Sequence, residues 1–294
     1  MNIEIDPGAG PCFGVEKAIQ KAESILQEES VLYTVGDLIH NEEEVERLEG
    51  LGMKTIGMDQ ALSGKYRKVL FRAHGEPPIS YQKAEEAHIN VADATCPIVI
   101  QLQKKVASIY NEIKGQNAQI VIFGKKNHPE VISLLGHCEN SALIIESIED
   151  LDHLDYSRSI HLFSQTTKYR SEYCQIKQGI EKQFAKASLK TSSHLFFNDS
   201  SCSIVAKRDE QLRNFIQGKD LIVFVSGSKS SNGKQLFQIC KKSGVESHFI
   251  SRIEELNKEY LLSKKNIGIS GATSTPKWLL QKVSLRVREL RGES

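Results

Sequence analysis

Short apolar runs alternating with longer amphipathic stretches predict an α/β fold, divided into three small α/β domains with mainly parallel sheets. The runs at 31–35, 69–71, 120–123, 160–163, 221–225 and 267–269 are too short for helices and are each closed by a polar loop. That is the pattern of buried strands. Between them, the stretches 15–27, 98–114, 169–187 and 234–243 repeat their apolar residues at helical spacing. Strand–helix alternation implies parallel sheets. A chain of 294 residues exceeds what one core usually organises. Taking the six strand–loop units in pairs places domains at 1–96, 97–197 and 198–279, with a C-terminal tail, 280–294, packing back on the first.

Composition narrows the function classes. With 39% apolar and 26% charged residues the chain has the make-up of a globular enzyme, not of a disordered segment. The net charge of +1 supplies no field to recruit nucleic acid. No apolar run approaches the roughly 20 residues of a membrane span, and the start, Met1-Asn2-Ile3-Glu4-Ile5-Asp6, has neither the basic nor the apolar part of a signal peptide. The expectation is a cytoplasmic protein with no nucleic-acid or membrane partner. In that compartment its six cysteines are thiols, and are buried, catalytic or metal-bound.

Ligands of open α/β sheets bind beyond the carboxyl ends of the strands, and there the sequence concentrates its chemistry. The six runs lead into Gly36-Asp37-Leu38-Ile39-His40-Asn41, Arg72-Ala73-His74-Gly75, Gly124 to Glu130, Ser164-Gln165-Thr166-Thr167, Ser226 to Gly233 and Ser270 to Pro276. Gly8 to Gly14 misses the G-x-G-x-x-G spacing, and Gly227 to Lys234 is one residue too long for a P-loop. Loops rich in Gly, Ser, Thr and Asn before helices still offer N–H and hydroxyl groups to a phosphate; taken singly, each also reads as an ordinary turn or helix cap.

Three cysteines share one context. Cys12, in Gly10-Pro11-Cys12-Phe13-Gly14, Cys96, in Asp93-Ala94-Thr95-Cys96-Pro97, and Cys202, in Asp199-Ser200-Ser201-Cys202, each precede a helical stretch. The helix terminus there favours the thiolate that a metal needs. Their separations, 96 − 12 = 84 and 202 − 96 = 106 residues, are unlike compact zinc or ferredoxin patterns, so capped loops that contain cysteine remain an alternative. Cys138, Cys174 and Cys240 read as small buried hydrophobes. His74 and His128 lie in loops, where convergence on one pocket is easier than on a helix face. Glu130 reads either as a buried proton donor or as a residue opening a helix behind Pro129.

In order, Cys12-Phe13-Gly14-Val15, His40-Asn41, Ala73-His74-Gly75, Asp93-Ala94-Thr95-Cys96-Pro97, His128-Pro129-Glu130, Gln165-Thr166-Thr167, Asp199 with Cys202, Gly227-Ser228-Lys229-Ser230-Ser231-Asn232 and Gly271-Ala272-Thr273-Ser274-Thr275-Pro276 resemble the LytB/IspH family. The match runs from Gly10 through Pro276, and its specificity lies in the ordered set. The resemblance implies a pseudo-threefold trefoil of α/β domains around one central 4Fe-4S cluster, held by Cys12, Cys96 and Cys202 with one open iron. It further implies reductive dehydroxylation of 4-hydroxy-3-methylbut-2-enyl diphosphate to isopentenyl and dimethylallyl diphosphates, the last step of the non-mevalonate (MEP) isoprenoid pathway. In that reaction the substrate hydroxyl binds the open iron, and two electrons and protons release water. An electron donor such as ferredoxin or flavodoxin is implied as partner, beside the small allylic diphosphate substrate.

By position in the motifs, Glu130 and Thr166 are catalytic. His40, His74, His128, Thr167, Ser230, Ser231, Asn232 and Ser274 are substrate-binding, with Thr273 as the alternative to Ser274 because the last loop carries an extra residue. The sequence Ser201-Cys202-Ser203-Ile204 departs from the family's commoner pattern, and the serine loop is one residue short. Two other classes stay open on the residues themselves. A three-thiolate zinc hydrolase also leaves a metal position for water, and a non-enzymatic phosphate-ligand-binding regulator would need no metal.

Overall fold

The computed structural model describes residues 2–186 and 194–292. The expected helix end at Ala187 and the last two residues of the tail lie outside them. Among the described residues the strands are β1 (Asn2–Ile5), β2 (Leu32–Val35), β3 (Met53–Ile56), β4 (Lys68–Phe71), β5 (Asn90–Asp93), β6 (Ala118–Phe123), β7 (Leu143–Ile145), β8 (Ser159–Ser164), β9 (Leu195–Phe197), β10 (Leu221–Val225), β11 (Glu246–Ile250) and β12 (Asn266–Gly271). The helices are α1 (Phe13–Glu28), α2 (Glu42–Gly50), α3 (Met58–Ala61), α4 (Pro78–Glu86), α5 (Pro97–Ile113), α6 (Pro129–Gly136), α7 (Arg170–Lys186), α8 (Ser203–Ile216), α9 (Ser231–Lys242), α10 (Lys258–Leu261) and α11 (Lys277–Arg291). The strands form three four-stranded sheets. Their pairings are parallel, as strand–helix alternation requires.

The chain divides into two compact units, one formed by Met1–Ile56 with Ser203–Ser294 and one by Gly57–Cys202. The first holds a sheet of order β1-β12-β10-β11 and the pair β2/β3. Asn2 to Ile5 sit opposite Asn266 to Ile269, so the first strand of the chain completes the sheet of the last third instead of opening that of the first. Helix α11 covers this sheet, with Leu279, Leu280, Val283 and Val287 packed on Val223, Val225, Ile267 and Ile269. All eight are fully buried, and each side chain so removed from water is worth about 1.5 to 3 kcal/mol.

The second unit holds the pair β4/β5 and a sheet of order β7-β6-β8-β9. Alternate residues of β6 serve opposite faces, as the strand period of two demands. Ile120 and Ile122 pack with Leu102, Val106 and Val131 from α5 and α6. Val121 and Phe123 pack with Tyr173, Ile176, Ile180 and Phe184 from α7. No helix among the described residues is long and apolar enough to cross a membrane.

Candidate functional site at the strand ends

In the first unit the loops after β2, β10 and β12 converge. Asn41 caps α2 by accepting the Glu44 N–H at 3.1 Å, and Ser230 caps α9 by accepting the Gly233 N–H at 3.0 Å. The cap reading of these loop residues therefore holds. The Ser274 hydroxyl donates to the His40 carbonyl at 3.1 Å and lies 3.4 Å from the Ser230 hydroxyl. Asn232 accepts on Oδ1 from both the N–H and the hydroxyl of Thr273, at 3.1 and 2.9 Å. That bonding assigns its amide: Nδ2, with two N–H donors, points the other way, is buried, and has no hydrogen-bond partner among the described residues. Ser231 opens α9. Gly227 must be glycine here, because a Cβ would stand 2.4 Å from the His40 carbonyl oxygen and 2.7 Å from the Glu42 carboxylate.

In the second unit, Pro129 and Glu130 do open a helix, and Glu130 is also buried, at 2% exposure. The helix-opening position and the burial thus coincide in one residue. Its two carboxylate oxygens accept from the Thr166 N–H at 2.7 Å and the Thr166 hydroxyl at 2.8 Å. Burial pushes the carboxyl up to about 7, against the pull of those two hydrogen bonds. His128 caps α6 by accepting the Glu130 N–H on Nδ1 at 3.2 Å, and its ring stands edge-on to that of His74, centroids 5.4 Å apart. Thr167 accepts from the Gln165 side-chain amide at 2.8 Å, and Gln165 in turn accepts the Lys125 N–H at 3.1 Å. Gln165 thus ties the loops after β6 and β8 together, a role its bare position in the sequence does not reveal.

Each of the three singled-out cysteines stands immediately before a helix: Cys12 before α1, Cys96 before α5 and Cys202 before α8. Each backbone N–H donates to a carbonyl in the loop of the neighbouring strand. Cys12 bonds Thr273 at 2.9 Å, Cys96 bonds Ala73 at 2.9 Å and Cys202 bonds Thr166 at 3.1 Å. The expectation that a helix terminus favours the thiolate needs correction at Cys96. The Ile98 and Val99 N–H groups do pull its thiol down, but burial pushes harder and the nearby Cys202 and Glu130 push the same way, so the thiol is raised. A cation bound there reverses that balance. Cys138 and Cys240 are fully buried and Cys174 is partly so.

The fold and its strand-end loops define a parallel α/β protein that gathers thiols, imidazoles, hydroxyls and a buried carboxyl at the carboxyl ends of its strands. Comparison with known proteins places it more closely. A family model described as LytB protein matches residues 3–288; the chain belongs to the LytB family. It is 43% identical to a protein of Parabacteroides distasonis, over 99% of both chains, and 44% identical to one of Bacteroides thetaiotaomicron, over 96% of both. Each relative is named 4-hydroxy-3-methylbut-2-enyl diphosphate reductase. Among solved structures it is similar to the E-1-hydroxy-2-methyl-but-2-enyl-4-diphosphate reductase of Plasmodium falciparum, with TM-score 0.83 and 25% identity over 96% of this chain and 86% of that one. A second, titled as the terminal enzyme of the non-mevalonate pathway, gives TM-score 0.69 and 29% identity over 98% and 99%.

Proposed function

We propose that this protein is an iron–sulfur reductase that removes the hydroxyl of 4-hydroxy-3-methylbut-2-enyl diphosphate, yielding isopentenyl and dimethylallyl diphosphates. The observation that carries the reading is the match, over nearly the whole length of both chains, to relatives named for that substrate. The residues fit the cofactor. Cys12, Cys96 and Cys202 are soft donors in one repeated setting, and a positive centre would offset the burial that otherwise keeps the Cys96 thiol protonated. When bound, a 4Fe-4S cluster with three cysteine ligands supplies electrons and, at its fourth iron, Lewis acidity.

The protein's own groups do the rest. Glu130, titrating near neutrality, holds the proton that the departing oxygen needs, and the Thr166 hydroxyl, which donates to its carboxylate at 2.8 Å, stands beside it. Asn232 contributes to the diphosphate the two N–H donors of Nδ2, which have no partner among the described residues. Ser230, Ser231 and Ser274 add hydroxyls, and His40, His74, His128 and Thr167 supply the remaining polar contacts. Ser274 stays the preferred contact and Thr273 the alternative, each hydroxyl donating within the protein, to the His40 carbonyl and to Asn232 respectively. Electrons come from a one-electron carrier such as ferredoxin or flavodoxin.

The test is anaerobic turnover with a chemical reductant, followed by product analysis. The two isomeric diphosphates, each lighter than the substrate by one oxygen atom, are expected. Unchanged substrate in the presence of iron-loaded protein would refute the reading.

A further inference from the structure

Beyond the cysteines themselves, the chain carries an aspartate at the end of each cysteine-bearing strand: Asp6 just after β1, Asp93 closing β5 and Asp199 two residues after β9. The three are used alike. Each turns one carboxylate oxygen back on its own loop, accepting the N–H two residues on: Gly8 at 2.9 Å, Thr95 at 2.8 Å and Ser201 at 3.4 Å. At Thr95 and Ser201 the hydroxyl joins in, at 2.5 and 2.7 Å. Each gives its other oxygen to a side chain from a helix: Arg208 of α8 at 2.5 Å, Tyr81 of α4 at 2.9 Å and Arg170 at the start of α7 at 3.1 Å. At its far end each loop is closed by the cysteine N–H on the neighbouring strand's loop. The loops differ in length and sequence, with six residues from Asp6 to Cys12 and three in each of the others. The pattern of their fastening is the same: a loop N–H on one carboxylate oxygen and a helix side chain on the other.

We propose that Asp6, Asp93 and Asp199 are positioning residues that set the three cysteine loops for metal binding. The proposal rests on reading Cys12, Cys96 and Cys202 as ligands. It also ranks the loops. Asp6 and Arg208 are 2% and 3% exposed and share Ser270, whose hydroxyl donates to Asp6 at 2.8 Å. Asp199 and Arg170 are 41% and 64% exposed, and a pair so wetted holds its loop weakly. The Cys202 loop is therefore the most easily opened of the three and Cys202 the first ligand released.

Alkylation mapping reads this without turnover. The full-length metal-free protein is treated anaerobically with iodoacetamide, and each of the six cysteines is followed by peptide mass spectrometry. Asp199→Ala should speed labelling of Cys202 at least about threefold by opening its loop locally, leaving Cys12 and Cys96 unchanged. Asp93→Ala should do the same at Cys96 alone, and Tyr81→Phe, which removes only the second fastening, should give a smaller rise there. Asn at either position keeps the acceptor for the loop N–H and should restore most of the protection. Iron uptake by the wild type, measured in parallel, tests the ligand reading separately. If the wild type takes up iron while both Ala variants label at wild-type rates, the positioning role is wrong. Acceleration at all six sites, buried Cys138 and Cys240 included, would mean general loosening and overturns it equally.

Discussion

Glu130 carries two consequences that can be measured separately. Its carboxyl is lifted from 4.5 to about 7 by burial, so the fold binds a proton there that the unfolded chain releases. The stabilisation is complete below about pH 4.5 and is lost as pH rises through about 7. At about 1.4 kcal/mol per pH unit the interval amounts to at most about 3 kcal/mol. Glu130→Gln has no such titration, and its amide can still pair with the Thr166 N–H and hydroxyl. Denaturant unfolding of the metal-free proteins should show the variant gaining on the wild type between pH 5 and pH 8, by up to that amount; a constant difference contradicts the assignment. In turnover the variant should lose on the order of 10² to 10⁴ in rate while still binding substrate. At Asn232 the prediction is one of affinity. Its Nδ2 lacks a partner among the described residues, and a hydrogen bond to a charged group is worth about 1.5 to 3 kcal/mol, so Asn232→Ala should weaken substrate binding about tenfold or more in calorimetric titration. Unchanged affinity would put the diphosphate elsewhere.

At the level of elements, the six apolar runs became β2, β4, β6, β8, β10 and β12, two strands in each sheet. The six strands without such a signal, β1, β3, β5, β7, β9 and β11, are the sheet edges. Physics accounts for the division. Interior strands covered on both faces read as unbroken apolar runs, as in the fully buried Leu221 to Val225. Edge strands carry polar residues, as in Asn90-Val91-Ala92-Asp93 and Glu246-Ser247-His248. The loops were legible for the opposite reason. Loops beyond the strands are not bound to the apolar pattern of the sheet, so polar residues such as His40, Glu130 and Asn232 stand out in the sequence even where, as at Glu130 and Asn232, they are buried. What stayed hidden was the fastening between loops, since the bonds of Gln165 and Asp6 run to residues far away in sequence. Gly227 is such a fastening by absence. Gly227→Ala forces the His40 carbonyl to move and should cost about 1 to 3 kcal/mol, read as a lowered thermal midpoint together with weaker substrate binding. A midpoint equal to that of the wild type would show that the two loops give way freely.

For the whole molecule, the arrangement repeats three times: an edge strand ending in an aspartate and a cysteine, its parallel neighbour carrying the receiving loop, and a helix beginning at the next residue. The third repeat is completed by the first strand of the chain, which explains how cysteines 84 and 106 residues apart (96 − 12 and 202 − 96) come to occupy equivalent places. On the proposed reading the three cysteines are soft ligands of a metal cluster, and what they bind separates the proposed reductase from a zinc hydrolase or a metal-free regulator. The direct measurement is iron, sulfide and zinc per chain after anaerobic purification, for the wild type and for Cys12→Ser, Cys96→Ser and Cys202→Ser. Brown protein with about four irons and four sulfides per chain is expected, with loss of the cluster in every variant. Colourless protein with one zinc per chain, or iron content indifferent to all three substitutions, would contradict it.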